Sequence, residues 1–363
     1  MVVSWVTRPG SSHHLCLRAR SEAAVLHCRR HPGRDAAVVA RRRHSASFRP
    51  YTGHVRFSVW PGTTQPWDNV LELAQFADDG FWHSLYVADH FRSPGDKPGQ
   101  TSNWLEATAV MAALATGTSN IRLANLVLSM TFRHPAVVAN LAATIDRISG
   151  GRFTLGLGAG WQDTEHEQYG LELGEPKERV DRFAEGLSVI SGLLTNETTT
   201  FDGQYYHLTD ALCEPKPVQS PLPLLVGGTG RRMLRLIARH AHEWNQWSAP
   251  GGFAERSTAL DEACHQEGRD PDTVWRSTQA LVIVTDSPEA EAEAKTKAES
   301  TPQPVVYGPA ARIAEAVAMW RDEGVDEVIV PVFGMPRGPE RLDAYRALAE
   351  ALRPLSDEGR SPS

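Results

Sequence analysis

The chain is poor in cysteine: Cys16, Cys28, Cys213 and Cys264 are the whole supply in 363 residues. None forms a Cys-x-x-Cys pair, so a disulfide scaffold or a zinc knuckle is not expected, and a reducing cytosol is the simplest home. Nor does it contain an apolar run long enough to cross a bilayer. Excess positive charge is also missing, for the net charge is -7. Neutralising phosphates requires a basic surface, which argues against a nucleic-acid partner. His-Glu-x-x-His, Gly-x-Ser-x-Gly and acidic calcium-loop signatures are absent too, leaving little support for a resident metal or a serine nucleophile. What remains is ordinary: 41% hydrophobic and 22% charged residues, enough for a substantial core.

The first fifty residues stand apart. They carry Arg29, Arg30, Arg41, Arg42 and Arg43 against only Glu22 and Asp35, and no periodic apolar face. A secretory signal would need an uninterrupted apolar core, which is not there. A transit peptide or a nucleic-acid arm would share that composition, but residues 1–54 are best read as a disordered extension translated upstream of a true start near Val55. A chain beginning at Val55 is therefore expected to fold.

From Val55 the pattern is repetitive. Ile121 to Trp161 shows the unit: IRLANLVLSM and RFTLGLGAG are short Leu- and Val-rich runs. Between them PAVVANLAATIDRI has helical spacing, opens at Pro135 and closes at Gly150-Gly151. Near-continuous apolar strands joined by a helix imply parallel strands buried on both faces. Counting onward gives strands at VRFSVW (Val55 to Trp60), SLYVAD (Ser84 to Asp89), the two just quoted, PLPLLVGG, EWNQW, part of STQALVIVTD, and EVIVPVF (Glu327 to Phe333). TTTFDGQYYHL reads as a hairpin turning at Asp202-Gly203. Eight strand and helix units over about 300 residues match a (β/α)8 TIM barrel spanning 55–355 with a short tail at 356–363, better than an open doubly wound sheet.

In such a barrel the chemistry sits where strands end. That rule selects Asp89 and His90, Asn125 to Thr131, Gly156 to Trp161, and Gly227 to Arg232. His90 is the proton carrier of choice near neutrality, with Asp89 available to orient it or to bind a cofactor. The glycines Gly156, Gly158 and Gly160 lack the third glycine and following acid of a dinucleotide fingerprint. They suit either a flat ligand lying on the backbone or a plain tight turn. GGTGRR presents backbone amides, a helix start and Arg231 to an anion, and lacks the Gly-Lys-Ser/Thr ending of a nucleotide P-loop. Asp163, Glu165 and Glu167 read as a solvated helix face, and His134, His240 and His242 as structural or surface residues.

YVADHF, RHPAVVANLAATIDRISGGRFTLGLGAGW, EHEQYG, ERVDRFAEGL and LLVGGTGRRMLRLIARHAHEWN together resemble the luciferase-like monooxygenase superfamily, in particular its branch that uses the deazaflavin coenzyme F420. The resemblance implies a barrel with a non-prolyl cis peptide in strand three, a bulge at about Leu126-Val127, and an isoalloxazine-type ring at its mouth. It implies hydride transfer with a small-molecule substrate and, commonly, a homodimer; a related branch uses FMN to activate oxygen. It assigns Asp89 to cofactor contact, His90 to proton donation, Ser129 to a hydroxyl beside the bulge and Ala159, Gly160 and Trp161 to the ring's surroundings. Gly227, Gly228, Gly230 and Arg231 match its phosphate cradle. Sugar-phosphate dehydrogenases of the group carry glutamate where this chain has Trp161 and tryptophan where it has Pro94, so glucose 6-phosphate is not the expected substrate.

Overall fold

The computed structural model describes residues 55–93, 96, 103–285, 287–332 and 340–356. The N-terminal extension, Pro94, Phe333 and most of the expected tail lie outside the described residues. The chain begins with β1 (Arg56–Trp60), α1 (Trp67–Asp78), β2 (Ser84–Val87), α2 (Ala107–Gly117), β3 (Arg122–Asn125), β4 (Leu128–Ser129), α3 (Pro135–Ser149) and β5 (Phe153–Gly158). There follow α4 (Asp163–Tyr169), α5 (Pro176–Thr195), β6 (Thr199–Asp202), β7 (His207–Ala211), β8 (Leu224–Gly227), α6 (Arg231–His240) and β9 (Glu243–Trp247). The last third comprises α7 (Ala254–Gln266), β10 (Trp275–Gln279), β11 (Leu281–Val284), α8 (Pro288–Ser300), β12 (Val305–Gly308), α9 (Ala310–Asp322), β13 (Glu327–Pro331) and α10 (Glu340–Leu352).

Strand order β3-β2-β1-β13-β10-β9-β8-β5, closed by pairing of β3 with β5, makes a parallel barrel of eight strands when β4 is counted as the continuation of β3. This is the expected TIM barrel. Helices arise where the sequence says they should: α3 takes Pro135 at its first turn, His134 Nδ1 accepts from Ala136 N at 3.2 Å, and Gly150 ends it at φ 69°. Its buried face, including Val138, Ala142 and Ile145, covers the sheet. Inside the barrel, Tyr86, Ala124, Leu126, Leu225 and Ile329 form a small separate cluster below the mouth.

The seventh strand needs its bounds corrected. STQALVIVTD is not one barrel strand: β10 ends at Gln279, and β11 leaves the ring to pair in parallel with β12, a strand absent from the sequence reading. An apolar run of that length cannot mark where the barrel rim ends, and Val282, Val306 and Ile313 join the outer pair to the main core. Strand three is interrupted after Asn125, where the resemblance put its bulge, and the Leu126-Val127 peptide is the expected cis bond. The hairpin forms from β6 and β7, with Gly203 to Tyr206 between them.

Candidate active site

The strand ends on one side of the barrel enclose a cavity of about 1030 Å³. Asp89, His90, Leu126, Val127, Ser129, Ala159, Gly160, Trp161, Gly227 and Gly228 all line it. Gly230 and Arg231 do not. Gly230 is the N-cap of α6 and Arg231 is exposed; the arginines that line the cavity are Arg256 and Arg179, whose Nη1 donates to Gly160 O at 3.2 Å. Helix α5, carrying Arg179, is laid over the mouth by the chain that follows strand four, a placement no local pattern announces.

His90 is positioned by Glu165, not by its neighbour Asp89. Glu165 is 1% exposed and accepts from His90 Nδ1 at 2.8 Å and from Phe91 N at 3.0 Å. The supposed solvated face of α4 is thus split, with Glu165 and His166 turned inward and Asp163 and Glu167 outward. Because a carboxylate accepts only, Nδ1 carries the hydrogen and Nε2 is the atom left to exchange a proton. Trp104 and Trp161 meet the imidazole edge-on, with ring centroids 5.3 and 5.6 Å away.

Asp89 serves the opposite purpose. It takes a bidentate pair from Arg133 at 2.6 and 3.0 Å and the Ser129 amide at 2.9 Å, pinning the start of the post-bulge segment to the end of strand two. Arg133 also donates to Glu106 at 2.6 Å. Burial alone would lower the guanidinium, but the Asp89 and Glu106 carboxylates hold it above its ordinary value. A second relay runs from Ser129 Oγ to Thr131 Oγ1 to His166 Nε2, each 2.7 Å, and His166 Nδ1 donates to Gln162 O at 2.7 Å. With its Nδ1 hydrogen so used, a neutral His166 accepts from Thr131, Thr131 accepts from Ser129, and Ser129 faces the cavity as an acceptor.

The glycine run answers the bulge more than a ligand. A Cβ at Gly156 would lie 1.7 Å from Asn125 O, and one at Gly158 would lie 2.7 Å from Val127 Cγ2. Gly160, at φ +90°, sits beside Thr131 and Ser129. Gly227 is different: a Cβ there would meet only Val127 methyl carbons at 3.8 and 3.9 Å, so the missing side chain leaves backbone open to the cavity.

The donor set suits an isoalloxazine-type ring with a phosphorylated tail. Backbone at Gly158 to Trp161 and Gly227-Gly228 is exposed to a flat molecule, Arg179 supplies positive charge, and buried polar atoms wait in the wall. Thr63 Oγ1, Gln246 Nε2 and Gln279 Oε1 have no partner among the described residues.

The family model described as luciferase-like monooxygenase matches residues 54–323. The chain belongs to that family. This family member is 32% identical over 207 residues, 54% of its length, to pyrimidine monooxygenase RutA of Cronobacter sakazakii, 59% of which is covered. It spans about half the length of the curated relatives it matches. Among solved structures it resembles an F420-dependent secondary alcohol dehydrogenase in complex with an F420-acetone adduct, with a TM-score of 0.71 at 19% identity over 83% of this chain and 99% of that one. It equally resembles EDTA monooxygenase EmoA from Chelativorans sp. BNC1, with a TM-score of 0.72 at 14% identity over 84% and 95%. At those identities the likeness is one of fold.

Proposed function

We propose that the protein is an oxidoreductase that moves a hydride between coenzyme F420 and a small organic substrate, with His90 exchanging the accompanying proton. The observation that carries this reading is the His90–Glu165 pair at the cavity wall. Adding hydride to a polarised double bond leaves negative charge that a nearby acid must quench, and an imidazole held through Nδ1 by a buried carboxylate is such an acid. When bound, the deazaflavin supplies or takes up the hydride; its ring has carbon where a flavin has the reactive nitrogen, which makes it a poor oxygen activator. Asp89 and Arg133 fix the backbone at Ser129, and the Gly227-Gly228 arc and Arg179, which line the cavity, would hold the ring's flank and the phosphorylated tail.

A second reading has an observation of its own. The relatives named pyrimidine monooxygenase insert oxygen, as that name says, which favours FMN and oxygen activation on the same barrel. Titrating the purified protein separately with F420 and FMN decides between them. Micromolar binding of F420 with substrate-dependent bleaching of its reduced form supports hydride transfer. Selective FMN binding, with labelled dioxygen appearing in product, replaces it with the monooxygenase.

A further inference from the structure

Among the described residues, the ionisable side chains lining the cavity are Asp89, His90, Glu165, Arg179 and Arg256, and their charges do not cancel. Asp89 is matched by Arg133, and Glu165 by His90 and the Phe91 amide. Arg179 and Arg256 have no carboxylate within ion-pair distance among the described residues, and their hydrogen bonds go to neutral oxygens. A cleft that keeps positive charge uncompensated between low-dielectric walls concentrates anions. Arg179 stands beside Gly160, where the proposed cofactor brings its own phosphorylated tail. Arg256 belongs to another stretch of the rim. From the first turn of α7 it donates through Nη1 to Gln246 Oε1 at 2.9 Å and to Trp247 O at 3.2 Å. Those two bonds use both Nη1 hydrogens and pin the guanidinium to the end of β9. Its side-on edge, Nε with Nη2, has no partner among the described residues, and the residue is exposed where it lines the cavity. Such an edge is a pair of parallel donors in one plane, the shape a carboxylate fills. Next to it the surroundings turn apolar. The Trp247 and Trp60 indoles have centroids 6.0 Å apart, tilted by 47°, and Trp60 packs on the small cluster inside the barrel. Guanidinium and indole pair meet at one residue, because Trp247 gives its carbonyl to the first and its ring to the second.

We propose that this stretch of the rim binds the substrate, and that the substrate is a carboxylic acid with a flat apolar body. Its carboxylate takes the open edge of Arg256, and its body lies against Trp60 and Trp247. The carboxylate is a handle and not the reacting group. Hydride is exchanged at another carbon of the molecule, with His90 handling the proton. The assignment rests on the proposed function, because it needs the phosphorylated cofactor tail to occupy Arg179 and leave Arg256 to the substrate.

The test compares benzoate with benzamide, which are alike in shape and differ in charge. Calorimetric dissociation constants are measured on the full chain with and without saturating F420. Benzoate should bind at least about tenfold tighter than benzamide, the worth of a charge-assisted pair. Acetate, which lacks the ring, should bind at least about tenfold more weakly than benzoate. Arg256→Gln should bring benzoate and benzamide to within about twofold of each other while benzamide binds as before, which also reports an intact fold. Equal affinity for benzoate and benzamide, a preference that survives Arg256→Gln, or acetate binding as tightly as benzoate overturns the proposal. Inorganic phosphate binding more tightly than benzoate, and losing that affinity in Arg256→Gln, overturns the carboxylate. A benzoate preference that depends on Arg256 without any F420 binding would refute the cofactor reading and leave this subsite standing, whereas F420 binding without the preference would do the reverse.

Discussion

His90 and Glu165 divide one task between them. Removing the imidazole removes the proton carrier, so His90→Ala should lower kcat by about 10²–10⁴ while the cofactor dissociation constant stays within about twofold. Glu165→Gln keeps the shape but not the charge that stabilises the imidazolium, and should lower kcat by about tenfold or more at unchanged cofactor affinity. Single-turnover kinetics and equilibrium titration measure both; an unaltered kcat in His90→Ala takes the residue out of the mechanism. Arg179 makes the parallel case for binding. Arg179→Ala should weaken the phosphorylated cofactor by about 10- to 100-fold in a salt-dependent way, and Arg231→Ala should not, because only the former lines the cavity. His90, Asp89 and the glycine arcs were legible in the sequence because strand ends locate them. Glu165 was not, since its partner is 75 residues away and DTEHEQ reads as solvated at every position. A signal was present nonetheless: Gln162, Glu165 and His166 fall at i, i+3 and i+4, one polar face directly after strand four, and all three are buried.

Strands three and four are shaped to one another. The segment between β3 and β4 presses toward β5, and Gly156 and Gly158 are where it lands. Gly156→Ala would drive a methyl into the Asn125 carbonyl, with no side chain to swing aside, and should cost about 3 kcal/mol or more in urea unfolding, or prevent soluble expression. Gly158→Ala meets a Val127 methyl and should be milder but still destabilising. Gly230→Ala is the control: nothing lies within 4 Å of its Cβ and its φ is -65°, so stability should stay within about 0.5 kcal/mol. The glycines were visible in the sequence, yet their reason was not, because it belongs to a neighbouring strand. The same limit explains strand seven. Alternation of apolar runs and helices reveals the order of units, but the departure of β11 from the ring and its pairing with VVYG depend on where the barrel rim falls in space.

The barrel as a whole separates its work between two ends. Opposite the cavity, the strand beginnings carry a buried polar layer: Glu327 accepts from Ser58 Oγ at 2.5 Å, Tyr86 OH at 3.0 Å and Trp275 Nε1 at 3.0 Å, while Arg56 stacks over Trp275. Glu243, half-buried at the same end, accepts from Thr154 Oγ1 at 3.3 Å. Burial first, and then the Glu327 carboxylate, push Glu243 from 4.5 up to about 7, with Arg122 and Arg56 opposing. A carboxyl whose folded pKa is raised contributes stability that is complete below pH 4.5 and is lost as pH rises through 7. Glu243→Gln keeps an oxygen for Thr154 and removes the ionisation. It should therefore raise stability at pH 8 by up to about 3 kcal/mol, a difference that shrinks to a few tenths near pH 4.5. His242, next to it, has the opposite slope: burial lowers it to about 4, so its contribution is lost as pH falls below its ordinary value. Urea unfolding of the natural protein and Glu243→Gln across pH 4.5 to 8 separates the two, and parallel curves would show that Glu243 ionises in the folded barrel as freely as it does in the unfolded chain.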